Sequence, residues 1–164
     1  MSGARATLTH TDESGKASMV DVGNKATTAR TATASGTIRM TVATLTAVRH
    51  NQIAKGDVLG VARIAGIMAA KRTADLIPLC HPVPITHVDV TLHVDESIPG
   101  VRALATASTV AQTGIEMEAI VAVSIALTTI YDMAKSADRS MVIGDIKLES
   151  KTGGASGSYT REQV

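Results

Sequence analysis

The sequence predicts an α+β domain, a four-stranded antiparallel sheet with helices on one face, and three stretches carry that prediction. His87 to Asp95 alternates strictly, with Val88, Val90, Leu92 and Val94 on one side and polar residues on the other, the period of a half-buried strand. Pro99-Gly100 then turns the chain into a second β-leaning run, Val101 to Val110, so the two form an antiparallel hairpin. Thr113 to about Ser136 is apolar on most of its surface through its middle, which suits a long helix buried on several sides.

The remaining elements follow in chain order. Residues 1–34 are rich in Thr, Ala, Ser and Gly, show no sustained period and read as a flexible N-terminal segment, with Met19 to Val22 the only hint of order. Thr37 to Met40 alternates around Ile38 and Met40 and reads as a strand, and Thr41 to His50 spaces Val42, Leu45 and Val48 for a short helix. Asp57 caps the next helix, along which Val58, Val61, Ala62, Ala65, Met68 and Ala69 recur at helical spacing until about Ala74. Pro78 forbids continuation, and Pro82 and Pro84 stiffen the extended exit. Met141 to Ser150 gives a last strand, with Ile146 and Leu148 alternating against Asp145, Lys147 and Glu149, before a Gly- and Ser-rich tail over 151–164. Treating the first helix as an elaboration, this order is the split βαβ plan of a ferredoxin-like fold, contained in one domain over 35–150. The sheet face away from the helices then needs water or another subunit.

Composition removes several classes of function. Hydrophobic residues make up 45% of the 164, yet aromatics are 1%, so the core is aliphatic and there is no platform on which bases stack. A formal net charge of +1 provides no global field for a polyanion, although a local basic cluster still suits a small anionic ligand. Cys80 is the only cysteine, which excludes an internal disulfide and a thiolate metal site and fits a reducing, cytoplasmic compartment. No run of about 18 unbroken apolar residues suggests a membrane span. His87 and His93 lie on the order of 20 Å apart along one strand, too far to share a metal.

The residues with chemical potential cluster in two places. The helix exit carries Lys71, Arg72, Asp75, Cys80 and His81 on a stiffened backbone, and a solvated basic helix end complementing the dipole is the bland alternative. Cys80 beside His81 is a poor nucleophile–base pair, because neighbours on an extended segment point to opposite sides. The long helix opens on Thr113 and Glu116 at capping-box spacing, with Glu118 beyond. Near its other end Asp132 and Lys135 suit an ordinary ion pair, yet an acid there opposes the helix dipole, which points mildly to function. These residue types describe a basic, carboxylate-rich site without naming its purpose.

A resemblance supplies the purpose. MVDV from Met19, KGDV from Lys55 followed by ARIAGI, AAKRT and DLIPLCHP, then TGIEMEA, IYDM with Lys135, and MVIGDI with the SKTGGASG run are together similar to the cyclic pyranopterin monophosphate synthase family of molybdenum cofactor biosynthesis. The similarity spans about Gly15 to Gly157, and DLIPLCHP with TGIEMEA is its most specific part. Ala74 and Ala134 depart from the family, which often has a large aromatic and a Cys there, but neither replaces a polar group.

The resemblance implies a ferredoxin-like lyase to which no cofactor and no metal ligand are assigned, with a divalent ion beside the triphosphate left open. It implies conversion of (8S)-3′,8-cyclo-7,8-dihydroguanosine 5′-triphosphate to cyclic pyranopterin monophosphate with release of diphosphate. It also implies a hexamer, a trimer of dimers. Carried over by position, Asp132 is the active-site acid, Lys135 its companion base, and Glu116 and Lys55 further catalytic groups. Leu79, Cys80, His81, Met117, Glu118 and Lys71 then contact substrate, with Arg30 and Lys151 further candidates for phosphate charge. One inference is geometric. Glu116 and Asp132 are sixteen residues apart on one helix, roughly 24 Å at about 1.5 Å per residue, so a small substrate that meets both needs a site built across two subunits. The alternative outside enzymology is a non-catalytic ferredoxin-like module that binds a phosphorylated metabolite.

Overall fold

A computed structural model describes residues 15–162. The chain forms β1 (Thr28–Arg39), α1 (Val42–Arg49), α2 (Val58–Ala70), α3 (Thr73–Leu76), β2 (Ile85–Asp95), β3 (Gly100–Ala111), α4 (Glu116–Ala134), β4 (Val142–Thr152) and β5 (Tyr159–Thr160). The strands make one antiparallel sheet in the order β2-β3-β1-β4-β5. The sheet therefore has five strands among the described residues, where the sequence reading has four. The fifth strand falls in the tail, because Tyr159 and Thr160 pair with Lys151 and Ser150 along the edge of β4.

The N-terminal boundary also moves. β1 begins at Thr28, nine residues before the strand read from the sequence, and it takes up part of the segment read as flexible. Its first half hides a β period inside small residues: Ala32, Ala34, Gly36 and Ile38 are buried, while Thr31, Thr33 and Ser35 alternate with them on the other face. Met19 to Val22 forms neither helix nor strand, and residues 1–14 lie outside the described residues. β4 runs on to Thr152, two residues past its expected end, and register shifts against β1 accompany Asp145, which sits at φ +55.

The helices begin and end for local reasons. Thr41 caps α1 by accepting from the Thr44 N–H, and Asp57 caps α2 by accepting from the Gly60 N–H. α2 stops at Ala70 rather than near Ala74, and after the Lys71–Arg72 turn a single extra turn, α3, carries the chain to the proline-rich exit. α4 starts at Glu116 without a side-chain cap, so the Thr113–Glu116 capping box does not form; the Glu116 carboxylate goes to Lys151 instead, at 2.7 Å.

α4 is long and apolar enough to cross a membrane by length and composition, but most of it is buried as the core helix of this domain. It packs on β1, β3 and β4, and α2 packs against both α4 and β2, which places the helices on one face of the sheet. The contact surfaces are small: Ala103, Ala105 and Ala107 of β3 and Ala32 and Ala34 of β1 face the helix layer, where Val123, Leu127 and Ile130 of α4 are fully buried. Burying each such valine, leucine or isoleucine contributes about 1.5–3 kcal/mol. The other face of the sheet is mixed, with Thr31 paired to Ser108 and Thr33 to Thr106 by side-chain hydrogen bonds of 3.0 Å each and Leu104 and Val110 exposed beside them.

Gly66 sets the approach of α2 to α4. A Cβ there would lie 2.8 Å from the Ala122 carbonyl oxygen and 3.2 Å from the Ala126 Cβ, inside normal contact and against backbone that does not yield. Gly66→Ala gains about 1 kcal/mol of helix propensity yet is expected to destabilise the fold by about 1–3 kcal/mol net, because overpacking outweighs propensity. Urea unfolding measures this, and unchanged or increased stability would contradict the packing argument.

Candidate active site

Most of the residues singled out by the sequence assemble at the two ends of α4, Lys71 being the exception. At its C-terminal end the Lys55 ammonium reaches across from the α1–α2 loop. It donates to Asp132 Oδ2 at 2.8 Å and to the Asp132 carbonyl at 3.0 Å, while Lys135 donates to Oδ1 at 2.7 Å. Gly56, at φ +89, turns the backbone directly after Lys55 into the Asp57 cap of α2, a conformation that favours glycine. The expected Asp132–Lys135 pair therefore exists, but it is half of a three-membered cluster. Hydrogen bonds from Lys135 first, then from Lys55, hold the Asp132 carboxyl at about 2, below the ordinary aspartate range.

At the N-terminal end, a cavity of about 690 Å³ is lined by Ile77, Pro78, Leu79, Cys80 and His81 from the proline-rich segment and by Thr113, Gly114, Glu116 and Met117 from the start of α4. Ala17 closes one side. Glu116 also lines an adjoining cavity of about 290 Å³ with three basic side chains, Lys25, Arg30 and Lys151. Arg30 is held in place by donating to the carbonyls of Ala111 at 3.0 Å and Gln112 at 3.2 Å. The Gly153-Gly154 turn passes directly over it: a Cβ on Gly154 would fall 2.2 Å from the Arg30 Nη1, and both glycines have positive φ. This is the physical reason for a glycine pair after Lys151.

The two glutamates of this end are driven apart. Burial pushes the Glu116 carboxyl up, but the hydrogen bond from Lys151, its backbone bond and the charges of Lys151 and Arg30 outweigh burial and leave it below the ordinary range. Glu118 is 2% exposed, and burial followed by the nearby Glu116 charge raises it. Its Oε2 has no hydrogen-bond partner, while Oε1 accepts from the Cys80 thiol at 3.9 Å. Burial, then the charges of Glu118 and Glu116, also raises the Cys80 thiol, so it is a weak nucleophile, in keeping with the poor Cys80–His81 dyad.

Of the expected binding residues, Leu79, Cys80, His81 and Met117 come together around one cavity with the expected catalytic Glu116, while Glu118 is bonded to Cys80 and does not line it. Lys71 does not join Lys55: it lines two separate cavities, one of about 530 Å³ near Val83 and His87 and one of about 120 Å³ beside Arg72 and Asp75. Lys25 and Gln112 are part of the basic cavity without having been singled out, because nothing in their sequence neighbourhoods marks them; the pairing of β1 with β3, Thr28 opposite Ala111, brings the two chain segments together. Among the described residues, no group of three His, Cys, Asp or Glu side chains comes together as a metal site.

Comparison with known proteins identifies the relatives of this chain. The model of the MoaC family matches residues 19–154. The chain is 57% identical over 152 residues to the cyclic pyranopterin monophosphate synthase of Parvibaculum lavamentivorans, covering 93% of this chain and 95% of that protein. It is equally similar to the protein of the same name from Cereibacter sphaeroides strain KD131, covering 93% and 96%.

The lysine–aspartate cluster has a pH signature. The folded-state value of Asp132, about 2, is depressed from 3.8, so its stabilising contribution is present above the unfolded value and is lost as pH falls through the folded one. Carboxyl NMR is expected to find Asp132 ionised down to about pH 2. Lys135→Met is expected to raise that midpoint more than Lys55→Met; an unmoved midpoint in both variants would rule out the cluster in solution.

Proposed function

The chain belongs to the MoaC family, and from that footing we propose that it catalyses the formation of cyclic pyranopterin monophosphate in molybdenum cofactor biosynthesis. The substrate is the cyclised guanosine-derived triphosphate, (8S)-3′,8-cyclo-7,8-dihydroguanosine 5′-triphosphate, and the second product is diphosphate. The observation that carries this reading is the division of chemistry between the two ends of α4. One end holds a carboxylate with two amines, and the other an apolar cavity joined to a basic one.

Each part answers a requirement of the reaction. Ile77, Pro78, Leu79 and Met117 offer an apolar surface for the fused ring system. Lys25, Arg30 and Lys151 are placed for the triphosphate, and their charge is where expulsion of diphosphate needs it. Rearranging a purine-derived ring into a pterin moves protons on and off nitrogen and oxygen. Lys55 and Lys135 are the groups for that work, each held by a separate oxygen of Asp132, which remains ionised and orients both. Glu116, ionised beside Lys151 at the junction of the two cavities, is placed to accept a proton near the phosphate end.

Because α4 keeps the two half-sites roughly 24 Å apart, one chain does not bring them to one small substrate. We propose that a neighbouring subunit supplies the missing half, within a trimer of dimers. The same proposal includes a cytoplasmic setting, which the single cysteine supports, and a ferredoxin-like classification. For the latter, the order β2-β3-β1-β4 and the helices between β1 and β2 and between β3 and β4 are the supporting features, with β5 an added edge strand.

Incubation with the cyclised triphosphate is expected to release diphosphate and form the pterin product, and Asp132→Ala is expected to lower kcat by about 100-fold or more while remaining folded. Bound but intact substrate would overturn the catalytic reading. Asp132→Ala and His81→Ala subunits, each impaired alone, are expected to regain part of the activity when co-assembled. No recovery in confirmed mixed oligomers would exclude a shared site.

A further inference from the structure

Residues 153–158 turn the chain from β4 into β5, and Gly153, Ala155 and Ser156 of this turn help to line the basic cavity. The turn is fastened at both ends. Gly153 lies so close to the Ala29 carbonyl oxygen of β1 that a Cβ would not fit, and β5 pairs with Lys151 and Ser150 of β4. Beyond β5, the Arg161 N–H donates to the Glu149 carbonyl at 2.8 Å and its Nε to the Leu148 carbonyl at 2.9 Å. Gly154 meets a side chain instead of backbone: a Cβ there would lie 2.8 Å from Cζ of Arg30 and 3.0 Å from its Nη2. That guanidinium spends Nε and Nη2 on the carbonyls of Ala111 and Gln112, while Nη1 has no hydrogen-bond partner among the described residues.

We propose that Gly154 is a positioning residue for phosphate recognition, whose bare Cα lets the β4–β5 turn lie against the Arg30 guanidinium and keeps the uncommitted Nη1 at the basic cavity. A planar guanidinium bonded along one edge, with backbone laid against it, has its remaining N–H groups fixed in direction. Of the two partners in this contact, the turn is tied to β1 and β4 through backbone, whereas the guanidinium is held by two hydrogen bonds at the end of a flexible stem. A side chain at position 154 therefore displaces Arg30 and leaves the turn in place. The two glycines thus have different duties: Gly153 seats the turn on β1, and Gly154 sets the direction of a charge that the turn itself does not carry.

The phosphate consequence rests on the function proposed above; the contact between Gly154 and Arg30 does not. Gly157 supplies the control: its φ is +69 against +78 for Gly154, and nothing lies within 4 Å of a Cβ there, so alanine meets the same left-handed strain without the collision. In calorimetry with inorganic triphosphate, Gly154→Ala is expected to weaken binding about tenfold and Gly157→Ala less than about twofold. Arg30→Ala is expected to weaken it at least as much, and Arg30→Ala with Gly154→Ala no further, because both substitutions act through one group. Binding by Gly154→Ala no weaker than by Gly157→Ala, or a further loss in the double variant, would overturn the proposal. If Gly154→Ala alone does not fold, removing the guanidinium in the double variant is expected to restore folding, and a double variant that also fails to fold contradicts the collision with Arg30. If the wild type does not bind inorganic triphosphate, the proposed function fails at its phosphate end, while NMR of the Arg30 Nε–H still decides the contact. That resonance is expected to shift in Gly154→Ala and to stay in place in Gly157→Ala; an unmoved resonance in Gly154→Ala rules out the positioning role.

Discussion

Everything in this protein is referred to one helix that does not bend to its neighbours. α4 lies on the sheet through alanines, is pressed from the side by α2 at a glycine, and is buried for most of its length. Small residues on both partners let backbones come close, so the helix has little room to slide or tilt. That rigidity makes the chemistry at its ends possible, because the lysine that meets Asp132 and the wall that meets Glu118 come from loops which α1, α2 and the sheet fix relative to it.

The electrostatics at the two ends follow different strategies. At the C-terminal end an exposed carboxylate sits against the unfavourable pole of the helix, and two ammonium groups compensate it. At the N-terminal end the helix itself favours negative charge, and two glutamates two residues apart use that field in opposite ways: one salt-bridged and ionised, one buried and reluctant to ionise. A shift of two residues along a helix turns the side chain by about 200°, which is enough to place one carboxylate toward the basic cavity and the other behind the loop.

The sequence makes the fold legible wherever the hydrophobic period has amplitude. Val88 to Val94 and the α4 run are unmistakable, and both lie where expected. β1 is hidden because its inward residues are alanine and glycine and its outward ones threonine and serine, so the period survives in size and polarity too faintly to be read. β5 is two residues of edge pairing and has no period at all. The site divides similarly. Motif residues identify both ends of α4, but the meeting of Lys55 with Asp132, the preference of Glu116 for Lys151 over a helix cap, and the separation of Lys71 from the other lysines are tertiary facts. Spacing along the chain carries no trace of them.

The uninterrupted run of α4 from one half-site to the other also constrains how this gene is able to vary. Inserting a single residue between Glu116 and Asp132 would advance one end by about 1.5 Å and rotate it by about 100° relative to the other. In the shared site proposed above, a subunit so altered would present one of its ends to its neighbours facing the wrong way, even with every functional side chain intact. Substitutions along the buried middle of α4 are open to compensation by repacking, whereas changes in its length are not, so the helix acts as a ruler between its two functional ends.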